Sequence, residues 1–418
     1  MATLQPYNKY NAIAYDYTTQ LPEGWQLLPN IAIFKERIER GHINEELLSV
    51  TIGKGVIKQT DVDIKKDSSN EDKSKYKLIK VGDIAYNKMR MWQGALGYSE
   101  HQGISSPAYV ILKPKMEINP RYFHYMFRTS FYNNYSKRFS YGIVDDQLSL
   151  RYSDFKRMYS IVPPIEVQNK IVAYLDKKNN EIDKFILNKE RLVELLEERK
   201  KHVITSTIFQ EENPVKPLKY LVSKVGSGVT PLGGANVYIS EGVSFLRSQN
   251  IHFDGLRLDD VAFISDKIHT KMKSTKVKLN DVLLNITGAS IGRCCSIETE
   301  IEANVNQHVC IIRPKKVLNS KYLAYYMAST TIQNLIRNSQ DGASREGLSF
   351  SEIKSFPIPI IPIEKQVEVV NQIKEIELDI DLAISKAQKE LLSIKEYREA
   401  LITDLVTGKR SVPQPQKR

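Results

Sequence analysis

The chain has 418 residues, of which 41% are hydrophobic, so it has enough apolar material for two or three folded regions. Its 60 lysines and arginines outnumber its 49 acidic residues, and the net charge of +11 favours a polyanionic partner, most often nucleic acid. No run of 18 apolar residues and no signal-peptide pattern is present, which predicts a cytoplasmic protein without a transmembrane helix. The three cysteines form no C-x-x-C pair, so they are predicted to be core residues rather than metal ligands.

The first globular region is predicted to run from Leu21 to about residue 160. Residues 1–20 are polar and rich in tyrosine, which indicates a loosely packed arm. The charged stretch 61–77 is predicted to be an exposed loop, and aromatic residues at near-helical spacing predict a helix over Tyr122–Tyr135. Short apolar runs predict strands at Val50–Ile52, Ile84–Tyr86 and Tyr109–Leu112.

Two long helical patterns, each led by prolines, organise the chain. They cover Pro163 to about Phe209 and Pro362 to about Thr407, and proline suits the first turn of a helix because that turn needs no N–H donor. Apolar residues recur at steps of three, four or seven, which predicts a coiled-coil seam along rods roughly 65 Å long. The predicted seam residues are Ile171, Leu175, Ile182, Ile186, Val193, Leu196, Val203, Ile373, Ile380, Ile384, Leu391, Ile394, Leu401 and Leu405.

The second half of the chain repeats the first. Val81–Ile84 matches Leu279–Val282, and Tyr122 and Tyr125 match Tyr322 and Tyr325 at an offset of 198 or 200 residues. We therefore predict an α+β fold in which two mixed α/β domains are separated by two long antiparallel coiled-coil helices, with an internal pseudo-two-fold duplication. Antiparallel packing is favoured because a compact domain of about 150 residues bridges the length of a rod poorly. The predicted boundaries are domains at 1–160 and 213–356, helices at 161–212 and 357–410, and a disordered tail at 411–418.

Polar loops in each globular region are candidates for DNA contact, because they combine donors for phosphates and base edges with glycines that permit close approach. The alternative is that the glycines serve only tight turns and the polar side chains only the surface. The candidates in the first region are Lys88, Arg90, Trp92, Gln93, Ser105, Ser106, Lys137, Arg138, Tyr141 and Gln147. Those in the second region are Ser248, Gln249, Asn250, Thr287, Ser290, Arg293, Asn306, Gln307 and Arg345.

Catalysis finds little support in the sequence. The phosphate-binding pattern G-x-x-x-x-G-K-[ST] is absent. The run Val162–Ile165 has two prolines but lacks the Asn or Asp and the aromatic residue that amino-methyltransferases use. The acidic residues between positions 61 and 72 leave a nuclease cluster open, although they lie in a charged loop. We therefore predict a non-catalytic protein that binds neither a metal nor a cofactor.

A set of motifs occurs in the same order in both halves of the chain: Pro163–Gln168, Pro362–Gln366, Gly82–Ile84, Trp92–Gly97, Ser105–Tyr109, Thr287–Gly292 and Asn306–His308. In these motifs and in their order, the chain resembles the specificity subunit of type I restriction–modification systems over essentially its whole length. The second helix start departs from the usual paired proline, since its turn is Pro357–Pro362.

The resemblance implies two target-recognition domains, each of which reads one half of an asymmetric bipartite sequence in double-stranded DNA. The two helices would act as a spacer and as the docking surface for two methyltransferase subunits, which use S-adenosylmethionine to methylate adenine at N6. Restriction subunits, which use ATP and Mg to translocate and cleave DNA, would join this core. The alternative, from another class, is a coiled-coil scaffold whose globular domains bind protein.

A helical spacer would also act as a ruler. Four residues lengthen a helix by about 6 Å, and one base pair is about 3.4 Å, so an inserted turn would widen the gap by one or two base pairs. We predict that Thr205–Thr207 tolerates such an insertion.

Overall fold

The structure is a computed structural model that describes residues 4–15, 17–62, 72–210, 213–340 and 347–413. The chain divides into two compact units, and each unit joins one globular region to one segment of both long helices. The first unit is Met1–Asn188 with Glu390–Arg418, and the second is Lys189–Lys389.

In the first unit, the described strands are β1 (Tyr10–Tyr15), β2 (Thr18–Pro22), β3 (Gln26–Pro29), β4 (Phe34–Glu36), β5 (Leu48–Thr51), β6 (Gly55–Lys58), β7 (Lys77–Ile79), β8 (Ile84–Asn87), β9 (Leu96–Tyr98), β10 (Gly103–Ser105), β11 (Tyr109–Pro114) and β12 (Tyr159–Val162). The helices are α1 (Asn30–Ile33), α2 (Pro120–Phe127), α3 (Ser130–Phe139), α4 (Tyr152–Phe155) and α5 (Ile165–Ile208), which the unit boundary divides.

In the second unit, the described strands are β13 (Val215–Pro217), β14 (Val222–Ser227), β15 (Val243–Leu246), β16 (Ile251–His252), β17 (Gly255–Leu256), β18 (Ala262–Ile264), β19 (Val282–Asn285), β20 (Cys294–Ser296), β21 (Ala303–Val305), β22 (Val309–Pro314) and β23 (Pro357–Pro359). The helices are α6 (Asp266–Lys271), α7 (Ser320–Ala328), α8 (Thr330–Asn338), α9 (Phe350–Ser355) and α10 (Ile363–Val406), which the boundary also divides.

The same antiparallel sheet lies in both units. Its strand order is β4-β11-β8-β9 in the first unit and β14-β22-β19-β20 in the second. The registers Val110↔Tyr86 and Ile312↔Val282 align buried residues on the central strands, and each sheet packs its apolar face against the helices that follow it. The three strands predicted from the sequence are confirmed as β5, β8 and β11, with each differing by up to two residues at its ends; β8 and β11 lie in this sheet, whereas β5 pairs with β6 in a separate one. Because the order of strands and helices is repeated, the internal duplication is confirmed.

The helix predicted over Tyr122–Tyr135 is two helices, α2 and α3, and this prediction was wrong. The break falls at Thr129, whose side chain accepts a hydrogen bond from the N–H of Tyr132 and so caps a new helix. A threonine with this role takes an extended backbone, which ends the preceding helix.

The N-terminal arm is more ordered than its polar composition suggests. Strands β1 and β2 form an antiparallel hairpin, and Tyr15 and Tyr17 pack on the first unit with their rings on Tyr135. The hydroxyl of tyrosine is polar, which is why this tyrosine-rich stretch was predicted to be loosely packed. The ring of tyrosine nevertheless supplies apolar area for burial. The N–H of Ser411 donates to the carbonyl of Gln5 at 2.7 Å and Val412 packs on the core of the first unit, so the prediction of a disordered tail was wrong for residues 411–413. Residues 414–418 of that prediction lie outside the described residues.

The two long helices have 44 residues each and run antiparallel within both units. In the first unit, Leu401 and Leu405 pack with Ile171 and Leu175 in one core. In the second unit, Ile204 and Ile208 pack with Val370 and Ile373, and Lys200 bonds Asp381 at 2.8 Å. All fourteen predicted seam residues are buried or half-buried, as an antiparallel coiled coil requires.

Candidate nucleic-acid interface

A cluster of turns lies where β8 ends in the first unit. We call residues 87–94, 106–108 and 140–150 the first turn cluster. Backbone hydrogen bonds join its segments, because the N–H of Lys88 donates to Ala108 at 3.4 Å and the N–H of Leu150 donates to Lys88 at 2.9 Å. Three stretches that are far apart in sequence therefore form one surface.

An equivalent cluster lies where β19 ends in the second unit. We call residues 285–293, 306–308 and 347–348 the second turn cluster. Here the N–H of Ile286 donates to His308 at 3.0 Å and the N–H of Leu348 donates to Ile286 at 2.8 Å. These bonds repeat those of the first cluster at an offset of 198 or 200 residues.

Glycine closes the main turn in both clusters. Gly94 and Gly292 have φ of 81° and 86°, a left-handed conformation that side chains rarely adopt. A Cβ on Gly292 would lie 2.6 Å from the Oε1 of Gln333, and one on Gly94 would lie 3.3 Å from the Nδ2 of Asn133. The turn therefore has little room for any other residue, which supports the turn role that the sequence left open for these glycines.

The first turn cluster gathers cationic and aromatic side chains. The Nζ of Lys137 lies 4.8 Å from the ring centroid of Trp92 and 2.8 Å from the carboxylate of Asp145. Trp92 is half-buried, and its Nε1 finds no hydrogen-bond partner among the described residues. Arg90 and Gln93 are exposed at the same turn. The residues at 88–93 and 137–147, predicted from two separate loops, are thus brought together.

Cation–ring contacts continue around this cluster. The guanidinium of Arg138 lies 5.9 Å from the ring of Tyr135, and that of Arg151 lies 5.9 Å from the ring of Tyr141. Arg151 was missed from the sequence, although it directly follows the Leu148–Leu150 segment that anchors the cluster. Its guanidinium adds a positive charge at the base of the 140–150 loop, beside Tyr141.

Two other predicted residues of the first region, Ser105 and Ser106, hold structure rather than face outward. Ser105 is fully buried in β10, and its hydroxyl has no partner among the described residues. Ser106 accepts a hydrogen bond from the N–H of Ala108 at 3.3 Å, which forms the turn before β11. Gln147 is exposed at the end of the 140–147 loop.

A chain of polar side chains crosses the second turn cluster. The Oγ1 of Thr287 lies 2.6 Å from the Nδ1 of His308, and the Nε2 of Gln307 lies 2.9 Å from the Nε2 of that ring. Thr230, on the loop after β14, donates to the Oε1 of Gln307. Gln307 is exposed, so its amide is oriented by two partners while still reaching solvent. The sequence analysis did not name His308 or Thr230 as candidates for DNA contact, although His308 lies in the motif Asn306-Gln307-His308.

Asn285 connects the 248–250 turn to this cluster. Its Nδ2 donates to the carbonyl of Ser248 at 2.8 Å and to the hydroxyl of Ser290 at 3.1 Å. Gln249 is exposed, and its amide bonds Asp260 at 2.6 Å. Asn250 is buried, and its side-chain amide is hydrogen-bonded to backbone atoms of Arg247, Arg257 and Asp260.

Three further predicted residues complete the second region. Arg293 is half-buried at the end of the glycine turn, where its carbonyl accepts from the N–H of Asn285 at 2.8 Å. Asn306 is buried, and its Oδ1 accepts from the N–H of His308 at 3.1 Å. Arg345 lies outside the described residues.

The described residues contain no group of three His, Cys, Asp or Glu that could hold a metal ion. No helix in the described ranges is both long and apolar enough to span a bilayer. The prediction that the cysteines are core residues is confirmed, since Cys294, Cys295 and Cys310 are all buried. Burial raises the pKa of Cys295 and Cys310 to about 12 and raises that of Cys294 as well, so these thiols are protonated at neutral pH.

Comparison with protein families finds a match to the type I restriction modification DNA specificity domain at residues 233–392. A putative type I restriction enzyme MjaX specificity subunit from Methanocaldococcus jannaschii is 24% identical over 392 residues, covering 86% of this chain and 85% of that protein. The EcoBI specificity subunit from Escherichia coli is 24% identical over 197 residues, covering 47% of this chain and 39% of its relative.

Two solved structures share the fold. A chain from a study of complex assembly and conformational transition of the type I R-M system has a TM-score of 0.75 at 14% identity, covering 93% of this chain and 99% of the other. The HsdS subunit from Thermoanaerobacter tengcongensis has a TM-score of 0.57 at 15% identity, covering 93% and 98%. In sequence over residues 233–392, and in fold along most of its length, this chain is similar to the specificity subunits of type I restriction–modification systems.

Proposed function

We propose that the chain is a DNA sequence-specificity subunit in which each turn cluster reads one half of an asymmetric bipartite target. The observation that carries this proposal is the repetition of one backbone cluster with different polar side chains. Lys88 and Arg90 in the first cluster occupy the turn that holds Thr287 and Ser290 in the second. One scaffold that presents two sets of donors suits two different half-sites.

The charge of the chain supports a DNA partner. A net charge of +11 favours the phosphate backbone, and two cations contact aromatic rings of the first cluster, Lys137 on Trp92 and Arg151 on Tyr141. Lysine and arginine contacts to phosphate position the protein, whereas amides such as Gln93 and Gln307 suit base edges.

The domain assignment is part of the same proposal. Residues 1–160 and 213–356 are the target-recognition domains, and residues 161–212 and 357–410 are the helices that space them. The outer faces of the helices carry exposed apolar side chains, with Leu187 at 66% exposure and Leu378 and Leu382 at 61% each. Such side chains suit partner subunits, so we assign them to docking.

The chemistry belongs to the partners in this proposal. Two methyltransferase subunits bind S-adenosylmethionine and methylate adenine at N6, and restriction subunits use ATP and Mg to translocate and cleave DNA. This chain supplies no catalytic residue and directs those subunits to their site in the cytoplasm. The names of its relatives, all specificity subunits of type I restriction enzymes, support this division of labour.

Methylome sequencing of cells that express this chain with its methyltransferase subunit tests the proposal, because it returns both half-sites and their gap. We expect Arg90→Ala to relax or abolish specificity in one half-site and Arg293→Ala in the other. Lys113→Ala is the matched control, since Lys113 is an exposed cation at the far end of β11.

Binding measurements separate this function from the scaffold alternative. Phosphate contacts make DNA affinity fall steeply with salt, so the assembled complex should lose affinity as salt rises. Absent or salt-insensitive binding to duplex DNA would contradict the proposal and favour a scaffold whose domains bind protein.

A further inference from the structure

A loop whose tip exposes a large apolar side chain forms part of the first turn cluster, and another such loop contacts the second turn cluster. Ile143 is 94% exposed in the first unit, and Leu232 is 100% exposed in the second. In the described part of the chain, no other large hydrophobic side chain is as exposed as these two. Single exposed hydrophobic residues are common on protein surfaces. Ile143 and Leu232 differ from such residues because one of them occurs at each turn cluster.

The loop that carries Ile143 is closed by its own backbone. The N–H of Tyr141 donates to Ser149 at 3.1 Å, and the N–H of Ser149 donates back to Tyr141 at 2.9 Å. The backbones cross so closely that a Cβ on Gly142 would lie 2.7 Å from the carbonyl of Gln147. The tip therefore projects Ile143 from a fixed base.

Two cations lie at the base of this tip. Arg151 lies over the ring of Tyr141, and Lys137 neutralises Asp145 within the loop itself. Tyr141 is 76% exposed and Val144 54%, so the tip presents these side chains to solvent together with Ile143. An apolar tip with cations at its base suits a partner with stacked apolar faces and an anionic edge, as a DNA duplex has.

The loop that carries Leu232 is tied to the second cluster by a different route. Gly228 packs against the backbone of β21, where a Cβ would collide with the carbonyl of Val305. Thr230 then bonds Gln307 of the second turn cluster, and the chain turns at Gly233 and Gly234, both with positive φ. Leu232 lies at the point of this turn.

We propose that Ile143 and Leu232 are wedges, each of which inserts between adjacent base pairs of one half-site and unstacks that step. Proteins that insert leucine or isoleucine between bases distort the duplex and gain contact area in return. The inference rests on the proposed function, because it assigns these tips to the same DNA surface that the turn clusters form.

The test uses the complex of this chain with its methyltransferase subunits and a duplex that contains the target found by methylome sequencing. The base analogue 2-aminopurine, whose fluorescence rises on unstacking, is placed at successive positions of each half-site other than the methylated adenine. We expect a rise at one step in each half-site. Ile143→Ser should remove the rise in one half-site and Leu232→Ser in the other, with Ile143→Leu retaining it.

The matched controls are Val81→Ser and Leu279→Ser. These two exposed apolar residues are internal equivalents, and each precedes the strand whose other end carries the turn cluster. Their variants should keep the fluorescence and the affinity, whereas each wedge variant should bind about tenfold more weakly, as expected for losing a few buried apolar groups.

The outcomes are distinct. Specific binding with no unstacking, or with unstacking unchanged in both serine variants, would overturn the wedge proposal and leave the specificity function intact. Weaker assembly with the methyltransferase subunits, without a change in fluorescence, would also overturn it and assign the tips to a protein interface. Failure of the wild-type complex to bind DNA specifically would instead overturn the proposed function on which the wedges rest.

Discussion

The side-chain Oε1 of Gln168 accepts a hydrogen bond from the backbone N–H of Asn119, 2.9 Å away. Its Nε2 donates to the carbonyl of Pro163 at 2.8 Å, so one buried amide links the start of α5 to the cap of α2. Gln366 makes the equivalent bond to Asn319 at 2.8 Å. The glutamine in the proline-led motif is therefore explained by structure, because it fixes each long helix to its globular region.

Replacing this glutamine should destabilise the unit that contains it. Gln168→Ala leaves two buried backbone groups without their partner, which typically costs about 1–3 kcal/mol for an unsatisfied group. We expect a clear fall in the urea midpoint, measured by circular dichroism on the purified complex. Lys170→Ala, on the exposed face of the same helix, is the control, and equal effects of the two changes would contradict this role.

A second prediction concerns the arginine–aspartate pairs at the start of the central strands. Arg313 contacts Asp281 through two bonds of 2.6 and 2.8 Å, and Asp281 is fully buried. Removing one partner of a buried pair leaves an uncompensated charge, so Asp281→Ala should cost about 3–5 kcal/mol.

The first unit offers the matched case. Arg37 contacts Asp83 at 2.7 and 3.1 Å, and Arg37→Lys should lose the two-pronged geometry while keeping the charge. A double-mutant cycle at each pair, read by chemical denaturation, measures the coupling. Coupling near zero would show that these pairs are not structural.

Acid should weaken the first unit through His124. Desolvation, with smaller contributions from Arg128 and Arg121, lowers the pKa of His124 to about 3, and its Nδ1 accepts from the N–H of Tyr98 at 3.2 Å. The unfolded chain binds this proton below about pH 6.5, whereas the folded chain resists it until near pH 3. Stability is therefore lost as pH falls below 6.5, by up to about 1.4 kcal/mol per pH unit.

The control for this titration is His124→Gln, which keeps a hydrogen-bond acceptor but does not titrate. We expect the free energy of unfolding to fall less between pH 6.5 and 5 in the variant than in the wild type. Parallel pH profiles would contradict the assignment.

Substitution of Gly292, which closes the main turn of the second cluster, should change sequence specificity in one half-site only. Gly292→Ala forces a side chain into a left-handed backbone and places its Cβ against Gln333, whose Nε2 bonds the carbonyl of Gly292 at 2.9 Å. A left-handed backbone alone costs about 1–2 kcal/mol. Methylome sequencing should show relaxed specificity in the half-site read by the second cluster, with the other half-site intact. Gly226→Ala is the control because Gly226 has neither a positive φ nor a close neighbour.

The helices should set the gap between half-sites. The structure argues against the insertion at Thr205–Thr207 that the sequence predicted to be tolerated, because the hydroxyl of Thr205 accepts from the N–H of Thr330 and Ile208 is buried beside it. Seven residues added after Asn188 and again after Lys389, the ends of the helix segments in the two units, preserve the heptad phase. We expect a gap longer by about three base pairs, from a rise of about 10 Å.

An insertion in α5 alone serves as the control, since it staggers the seam and should lower stability. A double insertion that methylates DNA with an unchanged gap would refute the ruler.

The periodic patterns at Pro163–Phe209 and Pro362–Thr407 predicted the long helices to within two residues, because an uninterrupted apolar repeat has few competing structures, whereas the wider boundaries 161–212 and 357–410 extend four to six residues beyond the helix ends. The hydrogen bond between Gln168 and the backbone N–H of Asn119 was not predictable, since the two residues are 49 positions apart in the sequence. The pairing of Asp83 and Asp281 with arginines could not be predicted from the internal repeat. Arg37 follows β4, whereas Arg313 lies on β22, so the two arginines are not equivalent in sequence.

The candidate site was predicted in part. Turn residues such as Arg90, Gln93 and Gln307 are where the sequence placed them, because glycine-containing turns after strands leave a local signal. Ser105 and Asn250 have the same polar chemistry but are buried, and burial depends on neighbours that no local pattern encodes.

The bonds from Leu150 to Lys88 and from Leu348 to Ile286 use only main-chain atoms. Any amino acid except proline at the donor can make them, so the side chains at these turns can be replaced without losing the shape beneath. Such a surface can be diversified one position at a time, and it offers a place to build libraries for new target sequences.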